Sequence, residues 1–414
     1  MNIAYYSHYF APEIGAPSAR IYDLARQWLA RGHQVQVVTC FPNHPTGKMY
    51  PGYRARSYMR ERLDGIEVHR HWTYVTPNQG FIKKTLGHLS YLPSAFLLST
   101  RRLEQPDVVI GTSPTFFAAM AAAAAAVRRR IPFIMEVRDL WPAVIVELGV
   151  LRNPYIIGAL ERLELSLYKR ATRIVTVTES FGTNLIERGV PSEKVFTIPN
   201  GADTEFWQPT ESAAGLRQSL GLEGRFVVLY IGAHGISHAL SRVLQSAALL
   251  REHTEIHLLF VGEGAEKERL LREAQSGELK NVQFLDSVPK EKVREFYALA
   301  DVCLVPLRDI KLFDTFIPSK MFEIMAMSKP IVASLRGEAA DILRRSGASL
   351  VVAPEDSSAV AGAILHLYRH PDEAKAMGQA GRRFVVENYS RQALAARYMN
   401  VLEEAVHVYR GGRR

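Results

Sequence analysis

Lys320 and Glu323 set a cation and a carboxylate one helical turn apart in the run Pro318-Ser319-Lys320-Met321-Phe322-Glu323. Pro318 at a helix start leaves unbonded backbone amides around residues 317–320, and with the mobile charge of Lys320 these form a cradle for a diphosphate. Glu323 can accept from the two vicinal hydroxyls of a ribose. A solvated helix with an incidental lysine is the competing reading. A second nucleotide-type corner is Val261-Gly262-Glu263-Gly264, a strand, a glycine turn and a helix start, where a base or ribose can approach the backbone. A third is the loop His8 to Arg20, in which Gly15 permits close approach and a helix beginning near Pro17 offers free amides to an anion. The glycines of G-x-G-x-x-G are absent there, which disfavours a nicotinamide enzyme. Glu136-Val137-Arg138-Asp139 places three charges at the C-terminal end of a strand, where open α/β sheets bind ligands, with a structural ion pair between Arg138 and a carboxylate as the competing reading. His8, His44, His234 and His238 lie in loops or turns, and no H-E-x-x-H or similar spacing marks a metal site.

The elements that must hold these residues follow from the hydrophobic pattern. Short apolar runs alternate with helix-length amphipathic stretches, which predicts an α/β fold with parallel sheets. Expected strands in the first half are Asn2 to Ser7, Gln34 to Thr39, Ile66 to His69, Asp107 to Gly111, Pro132 to Val137, Arg173 to Val177 and Val195 to Ile198. The pattern restarts with Phe226 to Ile231, Ile256 to Val261, Val282 to Leu285, Val302 to Val305, Pro330 to Ala333 and Ser349 to Val352. Pro199-Asn200-Gly201-Ala202-Asp203 and the polar stretch after it read as a linker, giving domains 1–205 and 206–389, with a last helix over 390–414.

A chain of 414 residues suits two domains, and 47% hydrophobic with 22% charged residues excludes a disordered or fibrous protein. Cys40 and Cys303 are too few for a disulfide framework and read as buried thiols. The N-terminus lacks the basic and apolar segments of a secretory signal, so the expected compartment is the cytoplasm. The alanine-rich run Phe116 to Val127 is too short to span a bilayer and reads as a closely packed buried helix. A net charge of +9 favours an anionic partner. Lys83-Lys84, Arg101-Arg102 and Arg128 to Arg130, interleaved with apolar stretches such as Leu89 to Leu98, suit an anionic membrane surface better than nucleic acid, for which no motif is present. Solvated helix ends would look the same.

Phe10-Ala11-Pro12-Glu13 with Gly15, Pro42-Asn43-His44-Pro45-Thr46-Gly47, Ile198 to Asp203, Val261 to Gly264 and Pro318-Ser319-Lys320 with Glu323 together resemble retaining glycosyltransferases of family four. The likeness runs essentially end to end and is nearest the bacterial branch that builds O-antigen, capsule and exopolysaccharide, including fucosyl and N-acetylfucosaminyl transferases. It implies the GT-B fold, two Rossmann-like domains facing across a cleft with the last helix returning to the first domain. It further implies a nucleotide-sugar donor, UDP-linked by expectation, with the base at Gly262, Glu263 and the backbone near Val288, the ribose at Glu323 and the diphosphate at Ser319 and Lys320. Gly15 is the first domain's phosphate contact, Asp314, Thr315 and Phe316 touch the donor sugar, and Arg138, Asp139 and Lys320 carry the catalysis. The family's usual pair of glutamates is broken here by Thr315. Its usual arginine and lysine after the strand Phe226 to Ile231 are replaced by Gly232-Ala233-His234-Gly235-Ile236-Ser237-His238, which leaves more of the diphosphate charge to Lys320, Arg308 or Lys311. The acceptor is expected to be a lipid-linked or soluble glycan, with no cofactor and no metal because no D-x-D motif is placed to hold one. Two rivals are a GT-B nucleotide-sugar 2-epimerase, which shares the nucleotide site, and a two-domain solute-binding protein, which the two nucleotide-type loops disfavour.

Overall fold

The computed structural model describes residues 1–412 except 14, 45–46, 55, 76–80, 114, 148–150 and 211–212. The chain divides into two compact units, Met1–Asn200 with Arg391–Arg414, and Gly201–Ser390. The division falls just before the boundary read from sequence, and side chains explain why. Arg20 holds the carbonyls of Ile198 and Pro199 and the Asn200 side chain inside unit 1. The Ala202 amide bonds Tyr389, and Trp207 sits in the unit 2 core.

Unit 1 contains β1 (Asn2–Tyr6), β2 (Gln34–Cys40), β3 (Tyr58–Leu63), β4 (Ile66–His71), β5 (Val108–Thr112), β6 (Phe133–Val137), β7 (Arg173–Thr176) and β8 (Val195–Thr197), in the order β3-β4-β2-β1-β5-β6-β7-β8. Every neighbouring pair is parallel except β3 and β4. That antiparallel edge corrects the all-parallel expectation. Its sequence, Tyr-Met-Arg-Glu-Arg-Leu, is too charged to resemble a core strand, yet it alternates and ends in Asp64-Gly65, both at positive φ, the signature of a tight hairpin. Arg60 pairs across it with Glu67 at 2.6 Å.

The helix Ala16–Ala30 buries Ile21, Leu24, Ala25 and Trp28 on one stripe, each large side chain contributing about 1.5–3 kcal/mol. The final helix Arg391–Gly411 covers it with Leu394, Tyr398, Leu402 and Ala405. The Trp28 indole N–H donates to the Ala395 carbonyl at 3.1 Å, so the last helix is part of unit 1. The alanine-rich helix Phe116–Arg129 is buried as expected, and small residues are required there because a Cβ on Gly111 of β5 would lie 2.6 Å from the Ala122 methyl.

Unit 2 is a six-stranded parallel sheet of β9 (Phe226–Ile231), β10 (Ile256–Val261), β11 (Val282–Leu285), β12 (Val302–Pro306), β13 (Ile331–Ser334) and β14 (Ser349–Val352), in the order β11-β10-β9-β12-β13-β14. In both units the chain builds outward from one strand and then crosses to its other side, at β1/β5 and at β9/β12. Ligands of such sheets bind in the crevice beyond these carboxyl ends.

Candidate functional site

At the switch point of unit 2, β9 runs into Gly232 and β10 into Gly262, and hydrogen bonding continues past both strand ends. The Gly232 amide donates to Val261 O at 2.9 Å, the His234 amide to Glu263 O at 2.8 Å, and the Glu266 amide to His234 O at 2.9 Å. The two loops touch backbone to backbone. A Cβ on Gly262 would fall 1.9 Å from Gly232 O, and one on Gly264 would fall 2.3 Å from His234 O. The glycines at 262 and 264 therefore permit loop-on-loop packing in addition to any ligand approach.

The helix Lys320–Ala326 follows a 3₁₀ turn, Lys311–Thr315, and begins two residues after Pro318. Five of its seven residues, Met321, Phe322, Ile324, Met325 and Ala326, enter the core, leaving Lys320 and Glu323 together on the remaining face. The Lys320 ammonium donates to Ile231 O at 2.9 Å and lies 4.2 Å over the Tyr230 ring. A Cβ at Gly232 would meet it at 2.5 Å. Sequence-distant groups thus converge at the end of β9: a glycine without a side chain and a lysine reaching back to it. Burial lowers the Lys320 pKa to about 8, against the opposing pull of Glu323, so the group is charged at neutral pH and gains by meeting an anion. Glu323 accepts from the Tyr297 hydroxyl at 3.3 Å, a partner that carries no sequence signal of its own.

The two histidines replacing the expected basic pair are neutral there. Burial lowers both His234 and His238 to about 4, Lys267 adding for the first and Lys320 for the second. His234 is fully buried beside Phe260 and Phe284, with neither ring nitrogen hydrogen-bonded among the described residues. Other expected contacts have protein partners. Glu263 pairs with Lys267 at 2.6 Å, and the same lysine reaches Asp286, tying the loops after β10 and β11 together. Val288 packs against the core. Asp314 accepts from Arg336 at 3.0 Å, the Thr315 hydroxyl donates to Leu312 O at 2.8 Å, and Phe316 rests edge-on against Phe313. Arg308 faces Glu355 at 3.7 Å, lining a cavity of about 580 Å³ with Ile236, Arg242 and Arg269.

In unit 1 the charges after β6 divide by role. Glu136 is fully buried and accepts from Tyr5 Oη at 2.6 Å, Thr112 Oγ1 at 3.1 Å and Arg20 Nε at 3.2 Å. Burial alone would raise its pKa, but Arg20, Arg138 and these hydrogen bonds hold it below the usual carboxylate value. The structural ion pair is thus Arg20–Glu136, and Arg138 forms none among the described residues. Arg138 is buried, with Nε and Nη1 lacking hydrogen-bond partners among the described residues. Ser113 Oγ fixes the turn by accepting from the Arg138 and Asp139 amides at 2.8 and 3.3 Å. Burial raises the Asp139 pKa to about 6 despite Arg138. Gly15 opens the first helical turn through its carbonyl, bonded by the Ala19 amide at 3.0 Å. Glu13 is a brace that sequence reasoning quoted without assigning a role: it accepts from the amides of Phe10, Asn43 and His44, joining the loop after β1 to the one after β2. Pro45 and Thr46 lie outside the described residues.

Comparison with known proteins agrees with this architecture. Residues 15–201 match the glycosyl transferase 4-like domain, and residues 225–370 match glycosyl transferases group 1. The chain is 26% identical over 405 residues to the putative colanic acid biosynthesis glycosyl transferase WcaI of Escherichia coli K12, covering 95% of this chain and 98% of that protein. Among solved structures, sucrose-phosphate synthase from Thermosynechococcus elongatus aligns with a TM-score of 0.73 at 18% identity, over 98% of this chain and 99% of that one. Anabaena HepE in complex with UDP and glucose aligns with a TM-score of 0.71 at 16% identity, over 97% and 99%. The chain is therefore a glycosyltransferase of the GT-B fold, built from a glycosyl transferase 4-like domain and a group 1 domain.

Proposed function

We propose that this enzyme transfers a sugar from a UDP-sugar, with retention at the anomeric carbon, to a lipid-linked or soluble glycan acceptor during synthesis of a cell-surface polysaccharide. The observation that carries the reading is Lys320, a partly desolvated ammonium beside Gly232 at the switch point, with Glu323 on the same helix face. Gly262, Glu263 and the backbone near Val288 take the base, Glu323 the ribose, and Ser319 with Lys320 the diphosphate. Asp314, Thr315 and Phe316 approach the donor sugar, the first two from side chains already steadied by Arg336 and Leu312 O. The printed name of WcaI and the UDP complex of HepE support the polysaccharide and the nucleotide parts respectively.

In the reaction the bond between the anomeric carbon and the β-phosphate oxygen breaks, and its electron pair stays on phosphate. The acceptor oxygen bonds to the anomeric carbon from the same face, and its proton passes to the departing phosphate oxygen. Lys320 stabilises the charge that develops there, a term worth more in the transition state than in the ground state. Arg138 and Asp139 orient the reacting sugar and acceptor from unit 1, and Gly15 is a phosphate contact there. No metal is required in this scheme. The acceptor side works at an anionic membrane surface.

The test is a thermal-shift and calorimetric screen of UDP, GDP and UDP-sugars, followed by product analysis with and without acceptor. A UDP-sugar should raise the melting temperature, and Glu323→Gln should weaken UDP and UDP-sugar alike. Wild-type affinity in Glu323→Gln would overturn the ribose assignment. Epimerised nucleotide-sugar formed without acceptor would overturn the transfer reaction.

A further inference from the structure

We infer that His366, His370 and Glu373 form a binding site for a divalent transition ion of the zinc, nickel or copper class. The site joins the helix Ser357–Arg369 to the helix Pro371–Tyr389. The two histidines are four residues apart, which stacks their rings at 4.3 Å between centroids with planes inclined by 25°. Pro371 then starts the next helix and brings Glu373 back in its first turn, with His366 Nε2 and Glu373 Oε2 2.8 Å apart.

One ligand atom from each residue lies within 4.8 Å of the other two. Metal–ligand bonds of about 2.0–2.2 Å in a tetrahedral site hold neighbouring ligand atoms roughly 3.3 to 3.5 Å apart, so small side-chain rotations suffice. His370 Nδ1 is 2.8 Å from the His366 carbonyl oxygen. With that nitrogen donating, Nε2 keeps the lone pair and is held in orientation, as in metal-ligating histidines whose second nitrogen is hydrogen-bonded. All three residues are exposed, so an ion can enter and water can complete its shell. Two imidazoles and one carboxylate suit zinc, nickel or copper, whereas magnesium and calcium prefer oxygen ligands alone.

Such an ion would clamp the last turn of one helix to the first turn of the next. The second helix supports the nucleotide side of unit 2, since Arg382 donates to the Ala326 carbonyl and Gly381 sits against Met325. Bound metal should therefore stiffen the support of Lys320 and Glu323 without touching either.

The experiment uses the full chain without an affinity tag, stripped of metal by chelator. It is titrated calorimetrically with zinc and separately with magnesium near neutral pH, and with cobalt for its visible absorption. The expected result is one zinc per chain, a raised melting temperature, a tetrahedral cobalt spectrum and no magnesium binding. His366→Ala and His370→Ala should each weaken zinc by about tenfold or more, Glu373→Gln by less. Absence of stoichiometric zinc binding, or unchanged affinity in both histidine variants, would overturn the site. A UDP titration of the same preparations reads the nucleotide site independently, so failure of one assignment is separable from failure of the other.

Discussion

The two switch points are built from the same topology and filled in opposite ways. At the carboxyl ends of β1, β5 and β6 and in the loop after β1, unit 1 places a dense polar network whose members satisfy one another: Glu136 with Arg20, Tyr5 and Thr112, and Glu13 with three backbone amides. Beyond β9 and β10, unit 2 places glycines, loop-on-loop backbone contact and a lysine whose ammonium lies against the Ile231 carbonyl and the Tyr230 ring, with Glu323 on the same helix face. The first arrangement fixes loops from within. On the proposed reading, the second leaves charge to be answered by a ligand. Charge near a sheet's carboxyl ends is therefore ambiguous: Glu136, within β6, is answered inside the protein, whereas Lys320 reaches the end of β9 from the start of a helix.

The comparison breaks most visibly if each unit's own device is removed. Glu136→Gln leaves Arg20 buried without its counter-charge and should destabilise the protein by about 3–5 kcal/mol, read by denaturant unfolding. Gly262→Ala drives a methyl into Gly232 O, and a loss of several kcal/mol, roughly 4, is expected together with loss of UDP binding. Gly235 is the control, since among the described residues nothing lies within 4 Å of a Cβ there, and its alanine variant should behave like wild type. Similar unfolding curves for wild type and Glu136→Gln would mean that the unit 1 network is not what holds that end of the sheet.

Lys320→Met sharpens the contrast by separating function from stability. Transfer should fall by about 10²–10³ in kcat, as for loss of one preorganised charge-stabilising group. Stability should not fall with it. Because folding depresses this lysine to about 8 from 10.5, the unfolded chain binds more protons between those values, so wild-type stability gains from this group as pH rises through that window. The methionine variant should lack that gain and be at least as stable as wild type at neutral pH. A melting temperature well below wild type would make Lys320 a structural residue.

Much of this was legible in advance, for physical reasons that differ by element. Buried parallel strands such as Val302 to Val305 announce themselves by continuous apolar runs, and Lys320 with Glu323 by their spacing on a short helix. β3 was missed because an edge strand hides behind charged residues, although Asp64-Gly65 carried a hairpin signal. The division of labour between Glu136 and Arg138 was illegible, because it depends on Arg20 arriving from the helix Ala16–Ala30 and Tyr5 from β1. The cluster at His366 escaped a search for one fixed metal spacing, since its third member belongs to the next helix.

Asp139 tests whether unit 1 contributes chemistry as well as scaffold. Its pKa is raised to about 6 from 3.8 by burial, so the folded state binds the proton more tightly than the unfolded state does. Stability from this group is present below 3.8 and is lost as pH rises through about 6. Asp139→Asn should match wild type in acid and exceed it in melting temperature at neutral pH. If the carboxylate form orients the acceptor, wild-type transfer should rise with pH through about 6, and the variant should lose that rise along with about 10²-fold in rate. UDP affinity should be unchanged if the nucleotide is held by unit 2, as proposed. Equal rates and equal pH profiles would place Asp139 with the scaffold.

The weakest expected effect concerns the surface of unit 1. The helix Phe81–Arg102 exposes Leu86, Leu89 and Leu97, and Arg101 and Arg102 lie exposed at its end. Lys83 and Lys84 near its start have side chains outside the described residues. No helix among the described residues is long and apolar enough to cross a membrane. Each basic residue near an anionic leaflet adds about 1 kcal/mol, which for these four gives reversible binding that salt weakens. One member has a second duty: Arg102 stacks 4.2 Å over Tyr58 of β3, and its replacement also touches the edge hairpin. A variant with Lys83, Lys84 and Arg101 changed to Gln is therefore the cleaner test, with Arg102→Gln added as a separate step. Wild type should sediment with anionic liposomes at low salt and be released at high salt, and the triple variant should bind more weakly by about tenfold or more. Neutral liposomes should retain neither protein. If wild type ignores anionic liposomes at low salt, or the triple variant binds as well, these charges are a solvated helix face and the acceptor reaches unit 1 without help from the membrane surface.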